Sequence, residues 1–417
     1  MRAELLTIGS ELTSGATVNT NAAFVARRLA DVGIPCQRQV AVSDEPASIV
    51  GALNEALRRC DLLVMTGGLG PTFDDVTMEA IAEVTGRPLI EIPTVAAKIR
   101  RFYRQRHRKL QRAALRQARI PQGGQALPNP IGTAPGLWLS HARQTIIALP
   151  GVPGEMRAIM EQSVLPRLKR FKGLTAIESR TLRTVGIVEL RIEALLRKIH
   201  IPQSVQVGLY PHQRLVDIRL TATAASRAQA RRTLARLERG LRRALGPTVY
   251  GMGTETLESV VGALLVKRGK TVAVAESCTG GLVLDSITDV PGSSRYLRGG
   301  LVAYHNDFKR EALGVPAPIL RRYGAVSDPV VRAMARGVRR LAGADLGLAI
   351  TGIAGPTGGT TQKPVGLVYV GLADSRMAKS LRCQFFGDRA SIKAQAAQTA
   401  LNWLRCYLLK APLRRRK

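Results

Sequence analysis

The chain has 417 residues, enough for two or three domains with their own cores, and it carries a formal net charge of +32 with 45 % apolar but only 4 % aromatic residues. No run approaches the roughly 18 apolar residues of a membrane span, and the opening MRAELLTIGSEL lacks the apolar stretch of a secretory signal. The scattered cysteines (Cys36, Cys60, Cys278, Cys383, Cys406) show neither CxxC nor Cys/His spacing, which argues against a disulfide framework and a structural zinc site. A cytoplasmic location and no membrane partner are therefore expected.

In chain order, LLTIG (5–9), DLLVMTGG (61–68) and TIIALPG (145–151) read as buried strands. NTNAAFVARRLADVGI (19–34) and TMEAIAEVTG (77–86) between them read as amphipathic helices. Apolar strands alternating with helices predict a mainly parallel, doubly wound sheet over residues 1–170. Within it, 95–120 reads as one amphipathic helix carrying Ile99, Phe102, Tyr103, Leu110, Ala113 and Ala114 on its apolar side. Ten basic residues and no acid fall between Lys98 and Arg119, and six more basic residues without an acid between Arg405 and Lys417. Such charge attracts polyanions non-specifically. Without interleaved stacking aromatics, however, the better reading is a solvated basic surface suited to anionic small molecules, with no specific nucleic-acid partner. The loop GGLGPT after the second strand (Gly67, Gly68, Gly70) can cradle phosphate through its backbone, and Asp74 and Asp75 can supply oxygen to a hard cation. The same aspartates can equally cap the following helix.

Residues 175–250 read as a small α+β module. TLRTVGI leads to a helix through RIEALLRKI; VQVGLYP and the alternating LVDIRLTATA are strands, and an Arg/Ala helix over 227–245 closes it. No GxxG loop of the kind KH domains use on RNA occurs there, so a binding role is not indicated. From 255 to 410 the pattern again alternates: helix LESVVGALLVKRG, strand TVAVAES, helix TGGLVLDSITDV, strand RGGLVAYHN, helix VVRAMARGVRRLAG, then strands LGLAITG and LVYVGLAD. The expected fold class is α/β, with two doubly wound α/β domains joined by a small α+β module.

AVAESCTGG (273–281) passes from a strand towards a helix, where unpaired N–H groups can hold an oxyanion. Ser277 is a candidate nucleophile there, with Cys278 or Thr279 as helix-start residue; alternatively Ser277 and Thr279 simply cap the helix. In VAYHNDFKREALGV, Lys309 follows a strand, and a partly desolvated lysine can serve as base to a serine; its alternative is a solvated helix cation. Glycines in ITGIAGPTGG (350–359) would let backbone N–H groups approach a phosphate.

AESCTGG, TDVPGSS, VAYHNDFK, LGV, YGAVSD, TGIAGPTGG, KPVGLVYVGLA and FFGDR run in family order, and on them residues 255–400 resemble the C-terminal domain of CinA-type competence/damage-inducible proteins. The resemblance implies a nicotinamide-nucleotide deamidase that needs no cofactor and converts nicotinamide mononucleotide and water to nicotinate mononucleotide and ammonia. Ser277 and Lys309 would form its Ser–Lys dyad with Tyr304 in the catalytic set. Backbone N–H groups near Cys278–Gly281 would hold the oxyanion, and Thr279, Gly280, Gly281, Asn306, Thr351, Gly352, Gly355 and Arg389 would bind substrate. His305 stands where the family commonly has serine and is read as a neighbour, not a base.

TIGSEL, VNTN, TGGLGPTFDD, PNPIGTAPG and PGVPGEM resemble the molybdopterin-binding-like N-terminal domain of the same family. That likeness implies a metal-dependent ADP-ribose pyrophosphatase, with Glu11, Asn21, Gly67, Gly68 and Gly70 at the nucleotide and phosphate. Asp74, Asp75 and Glu155 would take a divalent metal such as Mg²⁺. Phe73 stands where lysine is often found, which removes a phosphate contact. A homodimer is expected. The competing readings are an N-terminal module that binds pterin or nucleotide without hydrolysis, and a basic nucleic-acid-binding protein.

Overall fold

Continuous apolar runs become strands buried on both faces, as central strands of a parallel sheet must be. The computed structural model describes residues 1–107, 109–171, 176–212 and 215–410. The chain divides into two compact units, Met1–Glu178 with Thr223–Ala230, and Ser179–Ala222 with the chain from Arg231 onward. In the first unit lie β1 (Ala3–Ile8), β2 (Cys36–Val42), β3 (Leu62–Thr66), β4 (Leu89–Glu91), β5 (Arg119–Pro121), β6 (Gln125–Leu127), β7 (Gly136–His141) and β8 (Gln144–Leu149). Six of them form a sheet in the order β2-β1-β3-β8-β7-β6, while β4 and β5 make a separate ribbon. β1, β2, β3 and β8 run parallel, and β7 and β6 extend the sheet antiparallel.

Alternate side chains of β1 enter opposite cores. Leu6 and Ile8 pack with Ile49, Leu53 and Ile81, and Ala3 and Leu5 with Val25, Leu29 and Ile159. That division is the doubly wound arrangement the sequence predicts. Strand order reverses between β1 and β3, so the loops leaving their carboxyl ends flank a switch-point crevice.

The predicted 95–120 helix is instead a helix Pro93–Gln105 followed, after a break, by a 3₁₀ turn Arg112–Ala118. Between Tyr103 and Leu110 no apolar residue continues the buried stripe, and the like charges of Arg104, Arg106 and Lys109 oppose another helical turn. Arg108, and residues 411–417 of the second basic stretch, lie outside the described residues. No helix among the described residues is long and apolar enough to cross a membrane.

Lying mostly in the second unit, β9 (Ala176–Val185), β10 (Val205–His212), β11 (Leu215–Ala224) and β12 (Val249–Met252) form a sheet in the order β10-β11-β9-β12. This module is not a free tether. Val185 and Tyr250 share a core with Leu257 and Leu404 of the C-terminal domain, and the buried Arg405 guanidinium donates to the Pro247 carbonyl and to Asn402 Oδ1.

The C-terminal sheet contains β13 (Val272–Glu276), β14 (Leu297–Val302), β15 (Leu346–Gly352), β16 (Leu367–Ala373) and β17 (Ala378–Gln384), in the order β14-β13-β15-β16-β17. β14, β13 and β15 are parallel, and β16 and β17 antiparallel. Val272, Val274, Leu346, Leu348 and Ile350 face the helices Leu257–Arg268 and Arg389–Leu409. Ala273, Ala275 and Ala349 face the helix Asp328–Leu341. That second helix lies close on the sheet: a Cβ on Gly347 would come within 2.0 Å of the Ala335 carbonyl oxygen. Order reverses around β13, which places the turns after β13 and β15 side by side.

Candidate active site

The turn after β13 differs from expectation in a way that bears on chemistry. The helix begins only at Leu282, and its N-cap is Gly281 with no side-chain cap. Neither Ser277 nor Thr279 caps it, so that bland reading of the two hydroxyls falls. The helix start is held instead by Glu276, fully buried, whose Oε2 accepts the Gly281 N–H at 3.0 Å and whose Oε1 accepts the Leu284 N–H at 2.8 Å. Ser277 N–H donates to the Ile350 carbonyl at 3.0 Å and Gly280 N–H to the Ser277 carbonyl at 3.2 Å. With the Gly280 and Gly281 N–H groups thus engaged, the N–H groups of Cys278 and Thr279 are the ones of this turn that bond neither Glu276 nor the Ser277 carbonyl, and a candidate oxyanion site narrows to them. Gly280 and Gly281 have φ of +66° and +99°. They shape the turn and do not line the cleft beside it.

That cleft, about 230 Å³, is lined by Ser277, Cys278, Tyr304, Asn306, Lys309, Thr351, Gly352 and Arg389 together with Ala325, Val326 and Ala354. Ser277 is 8 % exposed and Lys309 1 %. Lys309 lies on the helix Asn306–Leu313, on the inward stripe with Leu313. Its Nζ donates to the Tyr304 carbonyl at 2.8 Å. No hydrogen bond joins it to Ser277, and no carboxylate pairs with it among the described residues. Burial pulls its pKa below the ordinary lysine value, with Cys278 opposing weakly. The Cys278 thiol is pushed up to about 12, chiefly by burial, so it is a neutral wall and not a nucleophile. Tyr304 is 62 % exposed at the rim, its hydroxyl accepting from Arg389 Nη2 at 3.1 Å. Arg389 Nη1 donates to the Gly355 carbonyl at 2.7 Å, which brings Gly355 to the edge of the site by its oxygen. Thr351 Oγ1 donates to the Ala325 carbonyl at 3.0 Å. Thr279 is fully buried behind Ser277, with its hydroxyl unpartnered among the described residues. His305 is exposed and accepts the Asp307 N–H at 3.3 Å as a helix cap; it does not line the cleft.

In the N-terminal domain, Gly67 and Gly68 leave β3 with φ of +108° and +64°, and Thr77 Oγ1 donates to the Gly67 carbonyl at 2.9 Å. Gly68, Gly70 and Asp75 line a pocket of about 20 Å³ with Arg116, Gln117 and Arg119. Asn21 Nδ2 donates to the Gly151 carbonyl at 2.7 Å, and the Glu11 carboxylate, on an exposed turn, folds against Gly9. The three acids expected to hold a metal are not brought together. Asp75 Oδ2 accepts from the Thr72 N–H and hydroxyl, Glu155 Oε2 accepts from Asn129 Nδ2 at 2.6 Å, and Asp74 is exposed. No group of three His, Cys, Asp or Glu among the described residues could share a cation. Phe73 is 89 % exposed and contributes no phosphate contact.

Profiles of three families match consecutive segments: the "Probable molybdopterin binding domain" over residues 4–170, the "Damage-inducible protein CinA KH domain" over 179–251, and the "CinA C-terminal domain" over 254–408. A competence-damage inducible protein of Moorella thermoacetica is 43 % identical over 99 % of this chain and 99 % of its own length. The chain belongs to the CinA family. A CinA-like protein of Gloeobacter violaceus is 44 % identical, covering 97 % of this chain and 96 % of its own. Among solved structures, CinA of Thermoplasma acidophilum is 38 % identical and covers 40 % of this chain and 97 % of its own, with a TM-score of 0.38. The α+β module thus carries a KH family name, although residues 179–251 contain no GxxG sequence.

Sequence reasoning on this CinA-family chain missed Glu276 as the brace of the Ser277 turn and Cys278, Ala325, Val326 and Ala354 as cleft walls. Glu276 did leave a signal, an acid at the end of the apolar strand VAVAE, in a position where a charge needs a partner. Ala325, Val326 and Ala354 left none, because their place depends on how loops distant in sequence meet.

Proposed function

We propose that the C-terminal domain hydrolyses the carboxamide of nicotinamide mononucleotide to the carboxylate and ammonia, with Ser277 as nucleophile and Lys309 as its base. The observation that carries this reading is a lysine 1 % exposed, without a carboxylate partner, in the same cleft as a serine at a strand-end turn. A buried, unpaired ammonium is costly, so burial favours the neutral amine over what an exposed lysine would allow. Neutral Lys309 takes the Ser277 hydroxyl proton as Oγ bonds to the carboxamide carbon, and the oxyanion is met by the Cys278 and Thr279 N–H groups. Collapse breaks the C–N bond, and Lys309 returns its proton to the departing ammonia. Water, deprotonated by Lys309, then cleaves the acyl ester. The Tyr304 carbonyl fixes Nζ, and Asn306, Thr351, Gly352 and Arg389 surround the nucleotide. The test is ammonia release from nicotinamide mononucleotide: wild type turns over and Ser277→Ala does not, at an unchanged melting curve. Near-normal turnover in Ser277→Ala overturns the mechanism.

For the N-terminal domain we propose binding of a phosphate-bearing nucleotide or pterin at the β3 loop, supported by the left-handed Gly67 and Gly68 and by Arg116 and Arg119 beside it. ADP-ribose is the substrate the resemblance implies. Its cleavage with Mg²⁺ would need a cation, and with Asp75 and Glu155 engaged by Thr72 and Asn129 and Asp74 exposed, the three do not gather as a set.

A further inference from the structure

Among the described residues no aspartate or glutamate lines the cleft of Ser277, and the adjacent Glu276 has both carboxylate oxygens taken by the Gly281 and Leu284 N–H groups. The cations around it are therefore not neutralised by the protein. Arg389 donates only to neutral oxygens, the Gly355 carbonyl and the Tyr304 hydroxyl. One turn further along the same helix, on the same face, stands half-buried Lys393, to which neither sequence motif nor family likeness assigned a role. Its Nζ lies 3.6 Å from where a Cβ on Gly280 would sit, against the open side of the turn that carries Ser277. Among the described residues it has no carboxylate partner. The neighbouring Asp388 is turned to the Ser391 N–H at 2.7 Å. Lys393 thus stands beside a glycine with no side chain in the way, one helical turn from Arg389, and two uncompensated cations so spaced form a place for a compact anion.

We infer that Lys393, with Arg389, binds the phosphate monoester of the substrate and sets the preference for the mononucleotide over its nucleoside. The inference rests on the deamidase reading for the identity of the substrate. A lysine ammonium suits this task, being a point charge that a phosphate can approach from several directions. Arg389, tied to Gly355 and Tyr304, fixes the orientation of the group.

The experiment compares kcat and KM for nicotinamide mononucleotide and nicotinamide riboside in wild type, Lys393→Gln and Lys393→Arg. In parallel, calorimetry measures binding of ribose 5-phosphate, which reports on the anion site without turnover. Loss of a charge-assisted hydrogen bond should raise KM for the mononucleotide about tenfold or more in Lys393→Gln, and the mononucleotide-over-riboside ratio of kcat/KM should fall by the same factor. Ribose 5-phosphate affinity should drop likewise, and Lys393→Arg should recover most of both. Equal losses on the two substrates, or ribose 5-phosphate binding that is absent in wild type or unchanged in Lys393→Gln, overturns the assignment. A wild type that binds ribose 5-phosphate through Lys393 but releases no ammonia would sink the deamidase reading and leave the anion site standing.

Discussion

Replacing Lys309 by methionine separates a working base from a structural cation, because it removes both the catalytic proton acceptor and the pH dependence that a buried lysine gives to stability. Lys309 is almost fully buried, and its burial pulls the folded-state pKa down, whereas in the unfolded chain it titrates near about 10.4. Between those two values the unfolded chain holds the proton and the native protein does not. Stability therefore rises with pH across that window, by at most about 1.4 kcal/mol per pH unit for one proton. Below the folded pKa both states are protonated and the full penalty of the buried charge applies; above about 10.4 neither is, and it vanishes. Methionine fills a similar volume and has no proton to lose. It leaves the Tyr304 carbonyl without its donor, a constant cost of about 1–3 kcal/mol. The informative quantity is the wild-type minus Lys309→Met difference from urea denaturation between neutral pH and about pH 10, in which distant groups cancel. This difference should climb with pH across that window, once the pH exceeds the lowered folded-state pKa. Deamidation should fall by about 10² or more in Lys309→Met and in Lys309→Arg, whose guanidinium stays protonated. Wild-type kcat/KM should rise with pH through the same midpoint that the stability difference reports. Parallel stability curves for wild type and Lys309→Met would refute the argument, since a lysine with an ordinary pKa leaves no slope in this window.

Two further outcomes test the supports of each domain. Glu276→Gln should lower unfolding free energy by about 1.5–3 kcal/mol, because an amide cannot accept both the Gly281 and the Leu284 N–H as an anion does; kcat should fall with it, and unchanged denaturation would refute the bracing role. In the N-terminal domain, Asp75→Ala should cost about 1 kcal/mol by freeing Thr72, and Asp74→Ala close to nothing. Adding Mg²⁺ should shift the wild-type melting curve no more than that of the double variant, and a metal-induced rise abolished by the pair of substitutions would show that these aspartates do gather a cation.

What the sequence disclosed follows from how each element is buried. β1, β3, β13 and β15 are covered on both faces, so their apolar runs are continuous and were read correctly. β2, CQRQVAV, is an edge strand with an exposed polar side, and nothing in its pattern separated it from a loop. The overextended helix at 95–120 came from bridging six polar residues between two apolar segments of compatible phase. At the site, the glycine-rich turns at strand ends were legible as places where chemistry occurs. The roles inside the turn were not. Gly280 and Gly281 set its path, and the group that fixes it, Glu276, becomes visible only when its two N–H partners are located in space. Lys309 carried a partial signal: at i and i+4 with Leu313 it occupies a core position of its helix, which periodicity alone reads as either a defect or a function.

The distribution of acids gives that lysine its meaning. A carboxylate beside Lys309 would keep it protonated and useless as a base, yet the residue immediately before the proposed nucleophile Ser277 is a glutamate. The fold resolves this by aiming Glu276 away from the cleft and occupying both of its oxygens with backbone N–H groups. The same exclusion of negative charge leaves Arg389 and Lys393 uncompensated. On the proposed mechanism, a cleft that keeps its base neutral thus becomes, by the same choice of residues, one that attracts an anion. The surplus of +32 over the whole chain acts in the same direction at long range. A neutral amide reacting at one end of the proposed substrate and a phosphate held at the other are demands that a site without a lining carboxylate among the described residues would meet together. A variant placing a carboxylate in it, Thr351→Glu, should therefore weaken binding of the mononucleotide and displace the pH–rate midpoint upward at once.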